Sequence, residues 1–223
     1  MKLILKSHKG IIAVLLCFVV ALLVFLFASM LEPVEAREEL VAWRPASKPS
    51  DIASHGPSDY SDANKTALLI RSDETVVLGG AGGNTKDGPQ NSYYSRGWSM
   101  GGSWWQLSEI STQGYDRIEL SFATRGSNTG PRNFTLEYRG DGYAWLPLKD
   151  SVGTPISYII DADNKFHRHG PYLLSSEVSN LELLHVRFLN TDTVSVAGDA
   201  TKSSGTNYIS DIQISGFPCC PAD

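Results

Sequence analysis

The sequence predicts an all-β fold, a sandwich of two antiparallel sheets. Apolar and polar side chains alternate at 116–124 and again at 133–139, the period expected of a strand with one buried face and one wet face. Turn-forming residues fill 125–131, and Asp141-Gly142 after the second run predicts a hairpin that returns over 143–148. Many short strands, with turns at intervals of roughly 8–12 residues, favour a sandwich.

The other predicted elements follow in chain order. Short apolar runs at 67–70 and 75–78 predict strands, and a glycine-rich connection at 79–83 follows them. Further strands are predicted at 104–108, 156–160, 183–189 and 208–215, and residues 175–184 can hold a helical turn. No stretch of the domain sustains a helical period. A domain of about 150 residues buries roughly 70% of its unfolded surface, so it needs no covalent staple.

Two motifs carry a resemblance to a known family. The segments at 112–122 (Thr-x-Gly-Tyr-x-x-Ile-x-Leu-Ser-Phe) and 129–138 (Thr-Gly-Pro-Arg-Asn-Phe-Thr-Leu-Glu-Tyr), with the Asp141-Gly142 turn, resemble the jelly-roll domain of secreted bacterial surface proteins, a galactose-binding-like or carbohydrate-binding-module-like β-sandwich. In that family the domain often sits beside exported enzymes, including nucleases. Residues 207–216 resemble its last strand. The resemblance spans 66–216 and implies a jelly-roll sandwich, without implying a reaction.

The N-terminus predicts export. Lys2, Lys6 and Lys9 precede an apolar segment at 11–31, which as a helix spans a hydrocarbon core of about 30 Å. Positive charge before the segment and acidic residues after it place the N-terminus in the cytoplasm and the rest outside. Two alternatives stay open for residues 1–36: a signal-anchor transmembrane helix, favoured by the length of the apolar segment, or a signal peptide cleaved after Ala36.

Two further segments flank the predicted domain. Residues 37–65 contain Pro45, Pro49 and Pro57 among many Ser and Asp, which predicts a disordered, solvated linker. Residues 217–223 form a tail with Cys219 and Cys220. These two adjacent cysteines can close a strained, labile bridge, can bond to another chain, or have no role.

The charge excludes one class of partner. Without residues 1–36, the chain has 16 Lys and Arg and 22 Asp and Glu, a net charge of −6. An acidic exterior repels phosphate backbones, so nucleic acid is not expected to be the partner.

One motif predicts an alternative, catalytic function. Gly97-Trp98-Ser99-Met100-Gly101 matches the G-x-S-x-G nucleophile turn of serine hydrolases, and Asp161 (or Asp163) and His185 follow in the right order. The flanking sequence does not support it, because no buried strand precedes the motif and no amphipathic helix follows it.

No cofactor is predicted from the residues. His167 and His169 would share one face of a strand, but no third metal ligand can be named. Jelly rolls of the resembling kind sometimes carry a structural calcium, whose ligands cannot be assigned in this sequence.

Aromatic residues are the remaining candidates for binding, because flat Trp and Tyr rings stack on sugar rings. Trp104 and Trp105 are adjacent on a strand and must face opposite ways, so one of them belongs to the core. The sequence therefore predicts a non-catalytic extracytoplasmic module for binding or adhesion, with a cell-surface glycan or protein as its partner. The candidate ligand-binding residues are Tyr93, Tyr94, Trp98, Trp104, Trp105 and Tyr143.

Overall fold

The structure, a computed structural model, describes residues 36–45, 54–72, 77–78, 91–98, 101–140 and 142–219. The chain divides into two units, Met1–Ala36 and Arg37–Asp223, and the second is described below. The predicted apolar helix at 11–31 lies outside the described residues. Among the residues described, no helix has the length and apolar character needed to cross a membrane.

Strands and two short 3-10 helices, Asp62–Asn64 and Ser176–Val178, make up the regular structure of the described residues. The second 3-10 helix lies within 175–184, where a helical turn was expected. The strands are β1 (Glu38–Trp43), β2 (Ser54–His55), β3 (Asp59–Tyr60), β4 (Leu68–Arg71), β5 (Val77–Leu78), β6 (Tyr93–Ser95), β7 (Trp104–Ile110), β8 (Tyr115–Gly126), β9 (Asn133–Gly140), β10 (Leu146–Pro147), β11 (Ser157–Ile159), β12 (His167–Leu173), β13 (Leu184–Asn190) and β14 (Asn207–Pro218).

The strands form two antiparallel sheets. The first sheet has the order β12-β8-β14-β1-β3, with β6 also paired to β14 and β5 to β6. The second has the order β10-β9-β13-β7-β4-β2, with β11 also paired to β9. The predicted all-β, two-sheet jelly-roll class is confirmed. The predicted hairpin is confirmed as well, because β10 pairs with β9 and Gly142 has a φ of 70°.

The core lies between the two sheets, where their alternating apolar side chains meet. Phe122 of β8 contacts Phe188 of β13 edge to face, with 4.8 Å between ring centroids. Tyr158 packs against Phe122 at 5.1 Å and stacks on Phe134 at 5.1 Å. Offset and edge-to-face aromatic pairs add to the stability that burial itself provides. The predicted inward positions of β8 and β9 are therefore confirmed.

The prediction of a solvated linker at 37–65 is wrong for β1. Leu40, Val41 and Trp43 are fully buried, and Val41 pairs with Ile214 of β14 in the first sheet. The local composition favours a linker, but pairing with a strand about 170 residues away supplies the burial that the segment lacks by itself. The sandwich therefore begins near Glu38 instead of residue 66.

Other parts of the predicted linker also differ from the expectation. Asn64 is buried and exchanges hydrogen bonds with the backbone of Ser111, at 2.7 and 3.1 Å. Residues 46–53 lie outside the described residues.

At the C-terminal end of the sandwich, β14 continues to Pro218, so the predicted tail at 217–223 starts two residues too early.

Candidate functional site

Three of the six predicted aromatic residues are buried in the core between the two sheets and therefore cannot contact an external ligand. Trp98 and Trp105 have no exposed surface, and Tyr93 is also buried, which raises its pKa to about 12. The Trp98 indole N–H donates to the Ser95 carbonyl at 3.0 Å. The Trp105 indole N–H donates to Asn207 Oδ1 at 2.7 Å. These residues are part of the core, and the expectation of one core tryptophan at 104–105 is confirmed for Trp105.

The other three predicted aromatic residues lie in three separate places. Tyr94 lies on the outer face of the first sheet and Trp104 on the outer face of the second. Tyr143 is 74% exposed. It lines a depression of about 640 Å³ at one end of the sandwich, together with Glu109 and Glu182. The predicted set therefore does not form one platform.

The structure separates two members of the alternative catalytic set, Asp161 and His185. Asp161 closely follows β11, whose residue Ile159 pairs with Asn133 at the start of β9. His185 pairs with Arg139, six residues further along β9, which corresponds to roughly 20 Å. Asp161 cannot hydrogen-bond to His185 over that distance, and Ser99 lies outside the described residues. The order of these residues along the chain matches that of a catalytic triad. Sequence order does not show strand register, however, and the register keeps Asp161 and His185 apart.

Asp161 and Asp163 instead lie beside His167. Nε2 of His167 is 2.9 Å from the Asp163 carboxylate, and its Nδ1 is 3.7 Å from Asp161. The hydrogen bond from His167 lowers the pKa of Asp163. The described residues include no group of three or more His, Cys, Asp or Glu side chains that could hold a metal ion.

The outer face of the second sheet brings together polar side chains that are distant in sequence. Phe134, Leu136 and Tyr138 of β9 point into the core, so the residues that alternate with them point outward. Glu137 pairs with Arg187 of β13, and Arg187 pairs with Gln106 of β7. These three outward side chains form one row across the middle of the sheet.

An ion pair and a tryptophan organise this row. Nε of the Arg187 guanidinium donates to Glu137 Oε2 at 2.5 Å, and Nη2 lies 2.5 Å from the same oxygen. The ring centroid of Trp145 lies 4.3 Å from Cζ of Arg187 and 4.8 Å from Cζ of Arg139. Stacking on an aromatic face limits the motion of a guanidinium. The two arginines are therefore held in defined orientations.

The centre of this face is shielded from bulk water. Gln106 and Ser108 are both buried, although they point away from the core, and Gln106 Nε2 donates to Ser108 Oγ at 2.5 Å. Nε of Arg139 is buried without a hydrogen-bond partner. Electrostatic and hydrogen-bonding interactions gain strength where water is excluded. The face can thus offer fixed donors and acceptors to a polar ligand.

A second half-buried tryptophan borders the same face. Trp104 pairs with Leu189, two residues from Arg187 along β13, which places the Cα atoms of Trp104 and Arg187 roughly 8 Å apart. Of the residues on this face, only Trp104 was predicted from the sequence. Trp145, Arg187, Glu137 and Gln106 were not, because strand alternation shows which residues point outward but not which strands are neighbours.

Fold and face together define a jelly-roll β-sandwich with a polar, tryptophan-bordered surface on one sheet. No protein-family profile and no curated protein sequence matches the chain. Among solved structures, it is similar to the family 61 carbohydrate-binding module TmCBM61, solved with β-1,4-galactotriose. That match has 10% identity, a TM-score of 0.39, and coverage of 67% of this chain and 87% of that one.

Two other solved structures are similar at the same level. One is the tandem family 22 module of Paenibacillus barcinonensis Xyn10C, with 14% identity, a TM-score of 0.43, and coverage of 80% of this chain and 48% of that one. The other is the family 30 carbohydrate-binding module of the Clostridium thermocellum cellulase Cel9D-Cel44B, with 15% identity, a TM-score of 0.39, and coverage of 78% and 97%. These likenesses identify no ligand for this chain.

Proposed function

We propose that the chain is a non-catalytic glycan-binding module that holds a saccharide on the outer face of the second sheet. The observation that carries the proposal is the row Glu137–Arg187–Gln106 with Trp104 and Trp145 beside it. A sugar ring presents an apolar C–H face and a rim of hydroxyl groups. Tryptophan rings can stack on the apolar C–H face. Planar carboxylate, guanidinium and amide groups can form hydrogen bonds with pairs of neighbouring hydroxyl groups.

A glycan suits this face better than a protein partner does. The cores of protein interfaces are depleted in charged residues, whereas the centre of this face is the ion pair of Arg187 with Glu137. Sugar hydroxyls can donate to the carboxylate and accept from the guanidinium, so they can replace the water that these groups lose. The separation of Asp161 from His185 supports the non-catalytic assignment.

Binding of neutral glycans to the full-length chain, purified in a mild detergent, tests the proposal. Affinity gel electrophoresis against β-linked glucans, xylans and galactans should show retardation by at least one of them. Trp104→Ala and Trp145→Ala should each weaken that binding about tenfold, because each removes apolar contact area of the kind worth about 1.5–3 kcal/mol when buried. The bound glycan should remain uncleaved.

A matched control truncates an aromatic ring on the other sheet. Tyr60 of β3 is exposed, so Tyr60→Ala should bind the glycan like the parent chain. Thermal unfolding of each variant separates loss of the site from loss of the fold. Unchanged affinity in both tryptophan variants would contradict the proposed site. Retention of a protein in place of every glycan would favour the protein-binding alternative.

We also infer that the module acts outside the cytoplasm, at a bacterial cell surface. The lysines before residues 11–31 and the acidic residues after them support this orientation. N-terminal sequencing of the exported protein distinguishes the two alternatives: a chain that starts at Arg37 was cleaved, and an intact chain in the membrane fraction is anchored. Recovery of the protein in the cytoplasm would contradict export.

A further inference from the structure

The outer face of the first sheet carries a ladder of aromatic rings around one arginine. Arg125 of β8 pairs with Tyr208 of β14, and Tyr208 pairs with Tyr94 of β6. Phe166 directly precedes His167, which pairs with the neighbour of Arg125 on β8. The four side chains therefore lie in one row across the sheet, and we call this row the aromatic ladder.

The rings of the aromatic ladder contact each other and the guanidinium. Cζ of Arg125 lies 4.1 Å from the Tyr208 ring centroid and 5.2 Å from that of Phe166. The Tyr94 and Tyr208 centroids are 5.6 Å apart, and those of Phe166 and Tyr208 are 6.4 Å apart. Tyr94, Tyr208 and Phe166 are each partly exposed. The surface is thus a partly exposed row of aromatic rings around a cation.

Arg125 differs from Arg168 and Arg187 because its charge is not neutralised by an ion pair within the described part of the chain. Arg168, on the same face, donates to Asp211 at 3.1 Å, and Arg187 pairs with Glu137 on the second sheet. Arg125 is only 8% exposed, and its Nε is buried without a hydrogen-bond partner. A buried charge is costly unless an opposite charge or hydrogen bonds compensate it, and aromatic faces compensate it only in part.

We propose that the aromatic ladder is a second binding site, which takes a sugar ring that bears a carboxylate, the uronic acid unit of an acidic glycan. The ring lies against Tyr94 and Tyr208, and the carboxylate accepts hydrogen bonds from Arg125. A guanidinium and a carboxylate match in charge and in planar geometry. This site lies on a different sheet from the one proposed for neutral glycans, so it stands independently of that proposal.

The test compares one polymer in two charge states. Affinity gel electrophoresis of the full-length chain in mild detergent uses polygalacturonate and its fully methyl-esterified form, which has the same rings without the charge. We expect binding to the acid form to be at least about tenfold tighter, because hydrogen bonds to charged groups contribute more than neutral ones. Equal binding of the two forms, or no binding of polygalacturonate, alginate and hyaluronan, overturns the proposal.

Variants assign the binding to these residues. Arg125→Met retains the unbranched apolar stem of the side chain, removes the charge and breaks no ion pair among the described residues, so it should fold. Both Arg125→Met and Tyr94→Ala should lose at least about tenfold in affinity for the acid polymer. If both keep the parent affinity, the site is not the aromatic ladder.

Two controls separate this site from general charge effects and from the second-sheet face. Arg168→Gln removes an equal charge from the same sheet face and should keep its affinity for polygalacturonate within about twofold. An equal loss in Arg168→Gln would show that only the net charge matters and would overturn the proposal. Trp104→Ala should leave binding of the acid polymer unchanged, whatever its effect on neutral glycans, and a tenfold loss there would place the acid polymer on the other face.

Discussion

Trp104 and Trp105 are neighbours in the chain but lie on opposite sides of the second sheet. Trp105 is in the core, where Asn207 accepts its indole N–H, and Trp104 borders the outer face. Alternation along the strand requires that one of the two be buried. Which one is buried depends on the register of β7 with β4 and β13, which two adjacent residues do not reveal.

Among the titratable side chains, His169 is expected to make the stability of the fold depend on pH. Its ring stacks on Phe122 with 4.9 Å between centroids, its Nε2 lies 2.8 Å from Thr124 Oγ1, and burial lowers its pKa from 6.5 to about 4. Between these pH values the unfolded chain binds a proton that the folded chain does not. Stability should therefore fall as the pH decreases from about 6.5 towards 4, with a slope of up to roughly 1.4 kcal/mol per pH unit from this group.

Urea unfolding at pH 7 and pH 5 measures this slope. His169→Gln should make the free energy of unfolding less dependent on pH over this range, because it removes the buried imidazole. Val152→Ala, an exposed change that involves no titratable group, should retain the slope of the parent. An unchanged slope in His169→Gln would show that the loss at low pH comes from other groups.

Strand β1 shows how an element with a weak local signal can be essential to the fold. Leu40 is fully buried in the core cluster, so Leu40→Ala should lower the free energy of unfolding by about 2–5 kcal/mol, through lost burial and the cavity left behind. Val152 is 82% exposed, and Val152→Ala should change the free energy of unfolding by less than about 0.5 kcal/mol. Chemical denaturation measures both. Equal small effects would restore the linker interpretation of this segment.

For the whole molecule, the core provides the stability without covalent help. The three cysteines of the chain are Cys17, Cys219 and Cys220, and all lie outside the span from β1 to β14. The unfolding midpoint should therefore be the same with and without reductant, which a pair of thermal scans measures. A midpoint that falls under reduction would show that a disulfide stabilises the fold. A bond between chains through Cys219 or Cys220 is one of the alternatives that the sequence leaves open, and a non-reducing gel tests it.

Taken alone, the sequence determined the fold class, because period-two alternation in β8, β9 and β13 and the turn residues between them are local properties. It also identified Trp104, whose ring lies on the outer face of the second sheet. The tertiary structure decided the rest. Glu137, Arg187 and Gln106 meet only through pairing of β9, β13 and β7, and β1 joins the core only through β14. Such contacts depend on strand register and on which strands are neighbours, and a linear pattern of residues encodes neither.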